Sequence, residues 1–428
     1  MKKQLVIIIL AYLISATAWS QLILDGQFRP RSEYRHGFGN LITETQDPGF
    51  ATSTRARFNV NYTSENYQVY LSLQDVMVWG ENRQILPFDQ NNSFAIFEAW
   101  AKLNLANGWS TKLGRQVLSY DDQRILGGLD WAQQGRNHDA ALISHKKGTF
   151  QFDAALAFNQ DFNNPTGFQS VGNTYNTTGF FSYKTMQSLY LKKQWEQVGV
   201  SILALNTGFQ NFDSTGNGDG ISNLQTLGSH LTYKNGKLSV AANAFIQGGE
   251  QQGKLAVSGA NLMGLDIYYK TSEKVNLGLG TERISGNKAD TANKTEAFFP
   301  LYGTNHKFNG FMDYFYVGNH ANSVGLIDTH VNANLDLGKQ SSLMMSLLNF
   351  SGAQALPSGE KALGTELDLV FSKKFKGYDF NLGYSQLFEA NGMYELKGVS
   401  KANAAGSQNW IWTMLTLKPK FLDTGEKE

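Results

Sequence analysis

The chain has 428 residues, of which 41% are hydrophobic and 17% charged, and a formal net charge of +1, a balance that excludes a strongly basic nucleic-acid binder. It has no cysteine, which excludes thiolate metal sites, redox pairs and disulfides. Mean hydropathy is -0.33, and beyond the N-terminus no run approaches the ~18 apolar residues of a membrane helix, so a helical membrane protein is excluded. The 13% aromatics and 43 glycines suit girdles, tight turns and closely spaced strands.

Residues 1–20 read as a secretory signal: Lys2 and Lys3, an apolar run from Leu5 to Ile14, then the small residues Ser15, Ala16 and Ala18. Cleavage after Ser20, favoured over Ala18, leaves Gln21 first and takes the formal charge from +1 to -1. Residues 21–428 show no linker or composition break and read as a single domain.

From there the chain alternates. The spacing predicts 18 strands, near 22–36, 50–64, 66–79, 93–106, 109–119, 138–147, 149–160, 185–195, 197–207, 224–234, 237–248, 259–270, 274–284, 322–337, 341–351, 361–375, 377–390 and 407–418. The pattern is clearest where Asp328, His330, Asn332, Asn334 and Asp336 interleave with Ile327, Thr329, Val331, Ala333 and Leu335. Joins after the even-numbered strands are tight, as at Asn107-Gly108, Lys147-Gly148, Asn235-Gly236 and Lys376-Gly377, pairs that supply the positive φ of hairpins. The intervening joins are long and polar, as at 161–184, 208–223, 285–321 and 391–406. Short periplasmic turns at one rim and long extracellular loops at the other describe an all-β, transmembrane, antiparallel up-and-down barrel of the outer membrane.

Nine of the ten arginines fall between residues 29 and 136. Arg29, Arg31 and Arg35 share a parity with Glu33, and Arg55 and Arg57 with Asn59, while Phe28, Tyr34, Phe58 and Val60 take the other. An arginine on the lipid face costs roughly 2 to 4 kcal/mol at mid-bilayer, so these rows face an aqueous lumen. Lys102 and Glu98 are assigned to the same pore-lining set. The rows read either as a track for carboxylated solutes or as an ion-pair lattice, Arg29 to Arg35 with Glu33 and Arg57 and Arg115 with Glu98, Asp75 and Asp122.

His306, Lys307 and Asp313, in the longest loop, are candidates to narrow the pore, beside a structural reading in which Phe308, Phe311 and Tyr314 pack inside the mouth. Asp213, Asn217 and Asp219 give a weak calcium pattern that lacks an acid at its twelfth position, where Leu224 stands, and no other cofactor or metal is expected. Trp79, Trp100, Trp109, Trp195, Trp410 and Trp412 read as interface girdle. Asn137, His138, Asp139 and His145 with Ser144 supply hydrolase residue types, but neighbours on a strand face opposite ways, so no enzyme is expected.

Residues 97–140, FEAWAKLNLANGWSTKLGRQVLSYDDQRILGGLDWAQQGRNHDA, with FPLYGTNHKFNGFMDYF at 299–315, GTELDLVFSKKF at 364–375, NLGYSQLF at 381–388 and WIWTMLTLKPKF at 410–421, resemble the alginate-export family of outer-membrane porins, in particular its Bacteroidetes-type members. The resemblance implies a monomeric 18-stranded barrel whose electropositive constriction selects a polyanionic uronate chain. It makes Arg115, Arg124 and Arg136 lumen or constriction residues, with Asp122 and Asp139 as ion-pair partners. The turn at Lys374 to Gly377 is short where the family's namesake exporters carry a long plugging turn, and 37 basic residues stand against 36 acidic. The expected function is passage of anionic solutes, alginate-like (uronate) oligo- or polysaccharide among them, with a general diffusion porin as the alternative. Expected partners are outer-membrane lipid, the anionic solute and periplasmic export proteins, without nucleic acid.

Overall fold

The computed structural model describes residues 20–82, 93–159, 182–216, 218–288 and 293–425, so all but Ser20 of the signal expected at 1–20 lies outside the described residues. Among them, 18 antiparallel strands close into a barrel. They are β1 (Gln21–His36), β2 (Gly49–Thr63), β3 (Tyr67–Val78), β4 (Ala95–Asn104), β5 (Trp109–Gln116), β6 (His138–Lys147), β7 (Phe150–Phe158), β8 (Thr185–Gln194) and β9 (Val198–Phe212). They continue as β10 (Gly218–Asn235), β11 (Leu238–Gln251), β12 (Leu255–Ser272), β13 (Val275–Ile284), β14 (Leu326–Gly338), β15 (Ser341–Ser351), β16 (Ala362–Phe375), β17 (Tyr378–Glu389) and β18 (Gln408–Leu417). Each pairs with its sequence neighbour, and β18 returns to β1 with Arg31 opposite Met414 and Arg35 opposite Trp410, leaving no open edge.

Alternation sorts the wall. On β1 and β2 the outward Phe28 and Phe58 are exposed to the surroundings while Arg29, Arg31 and Arg55 are buried inward. The predicted turns form: Asn107 and Gly108 both adopt positive φ, 58° and 81°, between β4 and β5. The predicted loop at 208–223 does not form as such. Beyond the membrane belt β9 and β10 stay paired, with Ile221 opposite Gln210 and Leu224 opposite Thr207. Above the belt both faces are wet, so the apolar–polar alternation fades from the sequence while backbone pairing continues. Strands β9 to β12 therefore stand taller than β4 to β8.

Two long connections turn into the barrel. Segment 117–137, between β5 and β6, and the described residues of segment 285–325, between β13 and β14, bury Leu118, Leu126, Leu301, Met312 and Tyr314 almost completely. Each large apolar side chain removed from water contributes roughly 1.5 to 3 kcal/mol, enough to hold these segments in the barrel rather than over it. They also bind each other. The Gly127 N–H donates to the Tyr302 carbonyl (2.9 Å), Tyr302 N–H to Ile125 (3.0 Å) and Thr304 N–H to Gln123 (2.9 Å), a short parallel ribbon across the lumen.

The outer girdle holds Trp79, Trp109 and Trp195, all exposed on the wall. Trp410 and Trp412 do not belong to it. They are buried on the inner face of β18 because that parity faces the inturned segments, and Trp412 lies flat over Gly383, where a Cβ would come within 2.1 Å of its ring. Trp100 is also inward, beneath the Lys112 ammonium at 4.5 Å.

Candidate constriction site

The basic rows of β1 and β2 meet segment 117–137 at Asp130 to Gln133. Arg29 donates from Nη1 to the Asp130 carbonyl (2.8 Å) and from Nε to Gln133 Oε1 (3.0 Å), and Arg31 donates from Nη1 to the Trp131 carbonyl (2.9 Å). Arg55 reaches the Asp130 carboxylate at 3.0 Å, Arg57 reaches it at 3.2 Å, and Arg29 at 3.6 Å. Arg57 also donates from Nε to Gln74 (2.6 Å) and stacks on Phe97 at 3.7 Å. Glu33 sits between Arg31 (3.1 Å) and Arg35 (2.9 Å).

Five guanidiniums thus share two carboxylates within ion-pair distance, with Asp313 acting on Arg31 and Glu98 on Arg57 from farther off, so positive charge predominates in this sector of the lumen. Arg29, Arg31 and Arg55 donate to the segment's carbonyls, whereas Arg35 and Arg57 donate to side chains. The Arg35 side chain, 45% exposed, and the Asp130 carboxylate, 66% exposed, are the parts that meet water. Beside them Arg31 lies over the Trp131 ring (4.6 Å), Trp131 stacks on His306 (4.7 Å) and His306 on Phe311 (5.5 Å).

A second sector is acidic. Asp266, Glu282, Asp328, Glu366 and Asp368 point inward from β12, β13, β14 and β16. Part of this sector borders a cavity of about 330 Å³ that Lys307 and His330 also line. These carboxylates hold segment 285–325: Glu366 accepts the Met312 N–H (2.8 Å), Asp368 the Phe311 N–H (3.3 Å), and Glu282 the Asn309 amide (3.0 Å). His330 bridges Asp266 (2.9 Å) and Asp328 (3.1 Å).

Several sequence expectations change. Arg124 pairs with Glu282 rather than Asp122, whose carboxylate instead accepts the Arg124 N–H (3.1 Å) and the Asn243 amide (2.6 Å). Arg136 donates to the Gly303 carbonyl (2.8 Å) and ties the two segments; its burial lowers its proton affinity. Arg115 and Asp139 are not in the lumen. They stand opposite each other on β5 and β6 with the parity of the outward Leu113 and Ile143, joined by two bonds of 2.8 and 2.9 Å. Two opposite charges that neutralise each other side by side can face outward where a lone arginine could not.

The remaining predicted partners also separate. Glu98 accepts the Trp100 indole N–H (3.1 Å) and the Val117 N–H (3.2 Å), and Asp75 accepts the Ser93 hydroxyl (2.7 Å). His306 is buried and bonded to Asp313 (2.9 Å), whereas Lys307 donates to the Asp122 carbonyl (3.0 Å) and borders the acidic cavity. Asp213 caps the Thr215 N–H (2.9 Å), Asp219 pairs with Lys254 (2.7 Å), and Asn217 lies outside the described residues. Lys102 faces the opposite mouth. Above the constriction, α1 (Asn391–Lys397) buries the Lys397 ammonium against the carbonyls of Tyr314 (2.6 Å) and Gly39 (3.3 Å), and that burial pushes it down to about 8.

Sequence reasoning missed Asp130, Trp131, Gln133, Asn309, Glu366 and Asp368. The signal was available in GGLDW and FNGFMDYF, too apolar for exposed loop tips.

The profile of the alginate export family matches residues 20–406. The chain belongs to the alginate export family. The barrel is similar in fold to Acinetobacter baumannii OccAB4 (12% identity, 95% of this chain and 99% of that chain, TM-score 0.64) and OccAB1 (12%, 94% and 97%, 0.64). It is also similar to the outer-membrane protein opdK of Pseudomonas aeruginosa (9%, 94% and 99%, 0.62). No curated protein sequence gives a match. This alginate export family member is an outer-membrane β-barrel transport channel of the Gram-negative type, not an enzyme.

Proposed function

We propose that the channel passes anionic solutes, uronate oligo- or polysaccharides among them, past a guanidinium constriction. The observation that carries this reading is the set of five guanidiniums sharing two carboxylates within ion-pair distance where segment 117–137 meets β1 and β2. Fixed, always-charged groups around a narrow aqueous path raise the local concentration of anions and exclude cations. Arg35 is the group positioned to meet a passing carboxylate, and the partly buried Trp131 ring lies beside the same guanidinium row, backed by the buried His306. Family membership supports the uronate assignment, since it names alginate as the exported polymer.

The acidic sector supports a second reading, a general diffusion porin whose opposed charges orient small solutes without polymer preference. Planar-bilayer recordings separate the two. Anion preference in a salt gradient, with conductance blocked by a uronate hexamer at lower concentration than by a neutral hexasaccharide, is the expected result. Cation preference, or equal block by the two sugars, would reject anion selection and favour diffusion.

A further inference from the structure

The lysines follow a different distribution from the arginines. Where β4, β5 and β6 approach the tight-turn rim, Lys102, Lys112 and Lys146 line one inner recess of about 460 Å³ with Asp153. Farther round the same mouth, Lys234, Lys237, Lys270 and Lys274 line a second of about 420 Å³ with Glu273 and Asp336. Seven ammonium groups therefore face three carboxylates. Between the recesses, Lys192 of β8 points inward to Asp121 (3.3 Å). Lys270 pairs with the exposed Glu273 (2.6 Å); Lys102, Lys112, Lys146 and Lys234 have no ion pair with a carboxylate among the described residues.

Alternation decides what these groups can meet. Lys147 and Lys193 take the outward parity beside lipid headgroups, but Lys102, Lys112, Lys146 and Lys234 share the inward parity of Trp100, Ser144 and His230 and address only the water column. The residue type also differs. An ammonium on a flexible stem gives a non-directional, easily exchanged contact, whereas the constriction uses fixed bidentate guanidiniums. Weak contacts repeated around a wide mouth collect a polyanion without trapping it.

We propose that the periplasmic mouth is a collecting site for polyanionic chains. This arc of lysines, from β4 to β13, gathers carboxylated polymer from the periplasmic side and feeds it to the arginine constriction. The inference rests on the anion-channel reading above and adds a side to it, because binding is stronger from the periplasm.

The test uses the full mature chain in planar bilayers, oriented by capture of a biotin placed at Glu65→Cys, the chain having no cysteine of its own. A uronate hexamer is added to one chamber at a time. Block is expected at about tenfold lower concentration from the periplasmic chamber at low ionic strength. In the K102Q/K112Q/K146Q/K234Q variant the two sides should become equal while anion preference persists. Equal block from both sides of the wild type, or an unchanged asymmetry in the variant, overturns the collecting site. Loss of anion preference in the wild type overturns the channel reading instead.

Discussion

Arg124 and Glu282 join an inturned segment to the barrel wall: the guanidinium donates from Nε (2.8 Å) and Nη2 (2.6 Å) to the two carboxylate oxygens, both side chains being buried. Asn305 and Asn309 accept its remaining bonds at 2.8 and 3.0 Å. Arg124→Ala leaves Glu282 charged and unpaired in the interior, a loss of about 3 to 5 kcal/mol. That loss is expected to free the ribbon locally. Single-channel traces should gain frequent stepwise openings, and a trace as quiet as wild type would show that the pair does not hold the segment.

Asp130 is the carboxylate shared by Arg29, Arg55 and Arg57. Asp130→Asn removes one negative charge and keeps the backbone carbonyls that anchor those arginines. The anion-to-cation permeability ratio, read from the reversal potential, should rise by about twofold or more. A fall would mean that the arginine sector does not set selectivity.

On the outer wall, Arg115 and Asp139 neutralise each other. Asp139→Ala alone leaves an arginine facing lipid, a cost of about 2 kcal/mol. Arg115→Leu with Asp139→Leu should recover most of it. Urea-unfolding titrations in detergent or bilayers measure the cycle, and additive losses would place the pair away from hydrocarbon.

His320, in segment 285–325, donates to the Gly325 carbonyl (3.0 Å), and burial pushes its imidazole down to about 4. Because the folded value lies below the ordinary 6.5, the stabilisation is complete above pH 6.5 and is lost as pH falls toward 4. The difference amounts to roughly 3 kcal/mol for opening of this segment. Amide exchange at 313–325, corrected for intrinsic rates, should quicken between pH 7 and pH 5 in wild type and much less in His320→Gln. Equal pH responses in the two proteins would count against this role.

Much of the wall was legible because a barrel strand states its own rule: one face meets lipid and the other water, so Phe28 and Arg29 identify their sides without knowledge of any neighbour. The turns were legible for an equally local reason, the positive φ at Asn107 and Gly108. Parity does not reveal what fills the lumen. Arg29 and Arg55 point inward, but their partners lie about a hundred residues away in a segment with no periodicity. Arg115 faces outward although both the ion-pair lattice and the family resemblance put it in the lumen; Leu113, two residues earlier, already marks that parity as outward.

The ribbon between the inturned segments joins residues far apart in the chain, Leu129 to Thr304 across 175 positions. Neither segment can find its place until β13 stands near β6, and neither is held laterally until β18 has met β1. Long separations delay contact formation, so the wall closes first and the narrowing of the passage comes last. An assembling chain therefore passes through a wide-bore stage, and protection of 117–137 from protease should appear after, never before, the heat-resistant barrel band on a gel.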